Sequence, residues 1–164
     1  MKILNKFRGC KILCVLLMLL LCNTSSCDFN FDKDVKGIKV PEMLWYIADE
    51  HGIDYCELLE KAFEGDECAL WLFVFIDEAH LYGGGEYTFQ HKAVVVQFIR
   101  IKGERFFINK MKGYCNKKHL LNLLNWGIDY ERNGMMQGDA ENNTKNEFPL
   151  IYEWLTSDET PDDT

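Results

Sequence analysis

The sequence predicts an all-α fold, a compact bundle of about six to seven short helices. Three observations carry that expectation. Helix-capping residues and glycine stops recur at helical spacing along residues 38–156. The apolar positions between them repeat with a period near 3.6. The segment after Asp66 is apolar all round, as expected of a helix at the buried centre of a bundle.

Pro41 opens the first helix where its missing N–H costs nothing, and Gly52 follows its end at His51. Met43, Leu44 and Ile47 form its apolar stripe. Asp54 caps a second helix, Tyr55 to Glu64, with Leu58, Leu59, Ala62 and Phe63 inward and Gly65 as the stop. Asp66 caps a third that runs to about Leu81, and Gly83-Gly84-Gly85 breaks the chain. A fourth spans Tyr87 to Lys102, with Val94, Val95, Phe98, Ile99 and Ile101 inward and Gln90, Gln97 and Arg100 outward. Gly103 ends it, and Glu104 to Lys112 forms a short fifth. Asn116 caps a sixth, Lys117 to Trp126, that Gly127 stops. Asp129 to Lys145 reads as a polar loop and Phe148 to Leu155 as a last helix. The competing fold is α+β. Leu70 to Ile76 has the branched and aromatic content of a strand, and residues 98–106 could form a hairpin around Gly103.

Gly52-Ile53-Asp54-Tyr55 recurs as Gly127-Ile128-Asp129-Tyr130, each time after a helix. In both places Gly would take a left-handed C-cap and Asp would begin the next turn. The second copy resembles the end of an ankyrin unit, but no 33-residue period accompanies it. HEAT-like helical hairpins are the better likeness, and reuse of one good turn accounts for the motif itself.

Residues 1–26 read as a secretory signal. Lys2, Lys6, Arg8 and Lys11 precede an unbroken apolar run of 11 residues, Ile12 to Cys22, and Asn23-Thr24-Ser25-Ser26 follows. The run is shorter than the roughly 20 residues a spanning helix needs. Ser26-Cys27 resembles the end of a bacterial lipoprotein signal, although Thr24 stands where that family prefers Leu. The resemblance implies a lipid on Cys27 and a membrane-tethered domain in the cell envelope, either periplasm or outer surface. Ordinary cleavage and soluble secretion is the other reading. Residues 27–37 then form an acidic tether, similar to the sorting signals of surface-exposed lipoproteins of the Bacteroides group. Residues 157–164 form a disordered acidic tail.

Removing residues 1–26 leaves 14 basic and 26 acidic residues, a net charge of −12. Such a chain lacks the basic patches that nucleic acid requires. It suits a protein partner, and a basic one in particular. Of the seven cysteines, Cys56, Cys68 and Cys115 remain beside Cys27. A Cys56–Cys68 bridge between neighbouring helices is the first expectation, with buried thiols the alternative.

Asp77-Glu78-Ala79-His80 resembles a box that follows a strand in helicases. The phosphate-cradling Gly-x-x-x-x-Gly-Lys-Ser/Thr loop that such chemistry needs is missing. Glu78, His80 and His91, with Asp77 and Glu86, have the ligand types of a zinc or manganese enzyme, without a specific metal spacing. No cofactor motif is present. The stronger expectation is a non-catalytic, protein-binding envelope lipoprotein, architecturally similar to the small helical immunity proteins that neutralise toxins. Its expected contact surface joins the loop at 81–88 to the loop at 129–145 through Tyr82, Glu86, Tyr87, Asp129 and Tyr130. Trp45, Trp126 and Trp154 are further exposed aromatic candidates.

Overall fold

A computed structural model describes residues 32–79, 85–113, 116–134 and 142–157. The expected signal at 1–26, Cys27, His80, Tyr82 and Cys115 lie outside the described residues, as does most of the acidic tail. A two-stranded antiparallel sheet comes first, β1 (Lys33–Val35) and β2 (Ile38–Val40), with Val35 opposite Ile38. Eight helices follow among the described residues: α1 (Glu42–Glu50), α2 (Tyr55–Glu64), α3 (Glu67–Phe75), α4 (Glu86–Lys102), α5 (Glu104–Met111), α6 (Lys117–Asn133), α7 (Asn143–Glu147) and α8 (Pro149–Thr156). Ile76–Ala79 continues α3 as a 3-10 turn. The mostly helical class is therefore the one the sequence predicts.

The sheet replaces part of the expected tether. Lys36 (φ 54°) and Gly37 (φ 90°) both take positive φ, as a tight hairpin turn requires, and Asp34 Oδ1 accepts from the Gly37 amide at 3.0 Å. Val35, Ile38 and Val40 are buried against the helices. Gly103 (φ 86°) is the expected break between helices: residues 98–102 belong to α4 and residues 104–106 to α5, so the alternative hairpin does not form.

Three caps act as the side-chain chemistry demands. Asp54 accepts from the Glu57 amide, Asp66 from that of Ala69, and Asn116 from that of His119. Gly65 (φ 91°) closes α2 in the left-handed region. Pro41 sits one place outside α1, whose first amide is met by Asp32 Oδ1 at 3.2 Å.

The central helix is α4, not α3. Ala93, Val94, Val95, Val96, Phe98 and Ile99 are all buried, because α1, α5, α6 and β2 pack around α4. By contrast α3 exposes Leu72 at 49%, and Ile101, expected inside, is 52% exposed at the end of α4. The expected Cys56–Cys68 bridge does not form, and both thiols are free. Cys56 stands in the first turn of α2 and Cys68 in the first turn of α3. A whole helix, rising about 1.5 Å per residue, separates them.

The largest correction falls on residues 127–147. Gly127 does not stop a helix: α6 runs on through it to Asn133 and ends at Gly134 (φ 66°). A Cβ on Gly127 would meet the Lys92 carbonyl oxygen at 2.5 Å and the Val96 Cγ2 at 2.9 Å. The missing side chain lets the α6 backbone lie against α4.

The expected polar loop also contains α7. Asn125 Oδ1, buried on α6, accepts from both the amide (2.8 Å) and the hydroxyl (2.7 Å) of Thr144. Glu147 then pairs with Arg100 of α4 and, at 2.8 Å, with Arg132 of α6. Replacing Asn125 with Leu should strand two buried donors, each costing about 1–3 kcal/mol. Urea unfolding should show that loss. A midpoint equal to wild type would mean that Asn125 does not hold α7 in place.

Candidate partner-binding surface

Two polar clusters lie at the start of α4, one inside the protein and one on its surface. The inner one gathers around His91. Its ring is fully buried, and Nδ1 lies 2.8 Å from the Tyr55 hydroxyl of α2. Phe73 of α3 meets the imidazole edge-on, with ring centres 5.6 Å apart. Burial lowers the His91 pKa to about 4, while Asp77 and the backbone of Val74 and Phe73 pull the other way. Asp77 in turn accepts from the Thr88 hydroxyl at 2.9 Å, which ties the 3-10 turn to the first turn of α4.

This cluster bears on the metal expectation through His91. A ligand histidine needs an accessible neutral nitrogen, whereas His91 is packed between α2 and α3 with Tyr55 on Nδ1. The side chain of Glu78 and all of His80 lie outside the described residues. Among the described residues no group of three His, Cys, Asp or Glu side chains could hold a metal ion. Asp77, the first residue of the helicase-like box, is engaged with Thr88.

The outer cluster lies across α4 and α6. Helical spacing puts Glu86, Phe89 and Gln90 on one stripe of α4, and Trp126 and Tyr130 one turn apart on α6. The close approach at Gly127 brings the two stripes together. Phe89 stacks on Tyr130, with ring centres 6.3 Å apart and planes 22° apart, and meets Trp126 edge-on at 6.2 Å. All three rings are half-buried. Their exposed faces form an aromatic surface held by two long helices.

One carboxylate is fixed beside the rings. Glu86 Oε1 accepts from the Tyr130 hydroxyl at 3.3 Å and from Gln90 Nε2 at 3.2 Å. Glu86 is exposed and pairs with no cation among the described residues, and its Oε2 accepts no hydrogen bond from them. Lys92 Nζ stands 5.0 Å from the centre of the Phe89 ring; burial pushes its pKa down, and the Asp77 carboxylate pulls the other way. Burial pushes the Tyr130 phenol upward, a hydrogen bond from Gln90 pulls it down, and the Glu86 carboxylate adds to the upward push.

Of the five contact residues expected from sequence, the fold brings Glu86 and Tyr130 into direct contact. Tyr87 turns inward and packs half-buried against the core. Asp129 is only 5% exposed and accepts from Asn133 at 2.8 Å, so it is not a surface contact. Tyr82 lies outside the described residues. Trp45 and Trp154 also pack against the core. Phe89 was missed, since its position on the α4 stripe looks like any core aromatic until α6 is placed beside it.

No protein-family model, no curated protein and no solved structure matches this chain. No helix among the described residues is long and apolar enough to cross a membrane.

Proposed function

We propose that this chain is a non-catalytic protein-binding module of the cell envelope. Residues 1–26 direct export, a lipid on Cys27 tethers the domain, and the α4–α6 face holds a protein partner. The observation that carries the binding role is the half-buried Phe89–Trp126–Tyr130 cluster with Glu86 fixed at its edge. Aromatic side chains on rigid helices bury much area on contact and lose little entropy, which is why they dominate interface energetics. The net charge of −12 after Cys27 becomes the N-terminus supports a partner of opposite charge. Within this class the layout is that of small helical immunity proteins, in which one acidic domain blocks a toxin.

The enzyme reading, metal chemistry through Glu78, His80 and His91, is the weaker one, because His91 is buried and bonded to Tyr55.

The test is capture from the native envelope with the full-length protein and with Trp126→Ala. The wild type should retain a specific protein that the variant loses, because truncating a hot-spot aromatic costs about 2 kcal/mol or more of binding. Equal capture by both would move the contact off this face, and repeated recovery of no protein would remove the binding role. Mass spectrometry of the mature N-terminus should find a lipidated Cys27. An unmodified cysteine there would make the protein a secreted one.

A further inference from the structure

The atoms left open on the α4–α6 face specify the chemistry of what binds there. Two of its side-chain donors, the Tyr130 hydroxyl and Gln90 Nε2, are engaged by Glu86 Oε1, while the Trp126 indole N–H and the Lys92 ammonium are further donors beside the same rings. The acceptor it presents outward is Glu86 Oε2, which takes no hydrogen bond from the described residues; Gln90 Oε1 is buried without a hydrogen-bond partner. Rotating the Gln90 amide would not remove the orphan: it would turn an oxygen toward Glu86 and leave the NH2 group unpaired. A ligand suited to this carboxylate and these rings donates hydrogen bonds to Glu86, carries positive charge and presents a flat face.

We infer that the face receives an arginine side chain from a basic segment of the partner. This rests on the protein-binding reading above. The guanidinium places N–H groups on Glu86 Oε2, where Tyr130 and Gln90 already hold the carboxylate in place. Its plane lies against the Phe89–Trp126–Tyr130 rings. The chain itself already sets a cation on this aromatic cluster, with Lys92 Nζ over Phe89. Arginine fits better than lysine because its guanidinium is planar, weakly hydrated and rich in donors, whereas an ammonium is a compact, strongly hydrated point charge.

The probe is a hexa-arginine peptide added to the 15N-labelled domain, with hexa-lysine as the comparison. Hexa-arginine should shift the Trp126 indole N–H signal and the amides of Glu86 to Gln90. It should bind more tightly than hexa-lysine. Glu86→Gln should weaken it about fivefold, the upper range for one exposed charge pair. Tyr130→Phe, which keeps the ring and removes the hydroxyl, should weaken it by a smaller factor. Three results would overturn the inference: no binding at millimolar peptide, equal affinity for hexa-lysine, or shifts centred on the α1–α2 carboxylates and unaffected by Glu86→Gln. Envelope capture that depends on Trp126, together with any of these, would leave the binding role standing and remove arginine as its ligand.

Discussion

Replacing Gly127 with Ala should destabilise the protein by about 3 kcal/mol, against the usual direction for that exchange. In an exposed helix interior, Gly to Ala gains about 1 kcal/mol, because alanine has less backbone freedom to lose on folding. Here the added Cβ would sit 2.5 Å from the Lys92 carbonyl oxygen and 2.7 Å from its carbonyl carbon. Those are backbone atoms inside α4 and cannot rotate aside. The two helices must separate, and the packing of Val96 and Ile128 loosens with them. Gly127→Val should go further and leave little folded protein, since typical domains hold only about 5–15 kcal/mol in reserve. Gly113→Ala is the control. Among the described residues a Cβ there meets only the Trp71 ring at 3.9 Å, so its effect should stay within about 0.5 kcal/mol. Urea midpoints of the three variants decide the matter, and a Gly127→Ala protein as stable as wild type would refute the close approach. The same substitution should disperse the Phe89–Trp126–Tyr130 cluster, because that cluster exists only where α4 and α6 touch.

Acidification should weaken the fold through His91. The buried imidazole has a pKa of about 4 in the folded protein, against an ordinary value near 6.5. Between these values the unfolded chain binds the proton and the folded chain does not. Stability therefore falls as pH drops from about 6.5 to about 4, and His91 contributes no further change below that. A shift of this size corresponds to roughly 3 kcal/mol. Carboxylates add their own pH dependence, so the measurement is a difference. His91→Gln keeps an acceptor for the Tyr55 hydroxyl and removes the titrating ring. The variant should start less stable at pH 7 and then lose less than wild type down to pH 4. Parallel urea-midpoint curves for the two proteins would mean that His91 does not set the slope. Tyr55→Phe, which removes the 2.8 Å hydrogen bond alone, should cost about 1–3 kcal/mol at neutral pH.

The two experiments touch one region from opposite sides. His91 packs the inner side of α4 against α2 and α3, and Gly127 admits α6 to its outer side. Glu86, Phe89 and Gln90, which lie between, are positioned by both. The proposed partner-binding face is therefore held by packing on both sides of α4, and aromatic contacts that are held in place lose less entropy on association.

Local chemistry was legible without the fold. Asp54, Asp66 and Asn116 cap helices because a short polar side chain reaches the amide three residues on, whatever surrounds it. Gly65 and Gly103 end helices because positive φ favours a residue without a Cβ. The helical class follows from such signals, repeated along the chain. The tetrapeptide Gly-Ile-Asp-Tyr marks where they run out. In its first copy Gly52 turns the chain at φ 75°, Asp54 caps α2 and Tyr55 is buried on His91. In its second copy all four residues stay inside α6, Asp129 is buried and Tyr130 reaches Glu86. The local preference is identical, so tertiary contact decided between them. The α4 backbone against Gly127 and the Asn125–Thr144 bonds pack α6 and α7 onto the domain, and burial there outweighs a turn preference of about 1 kcal/mol. The same holds for the surface. Glu86 and Tyr130 are 44 residues apart in sequence, and only the packing of α4 on α6 makes them neighbours.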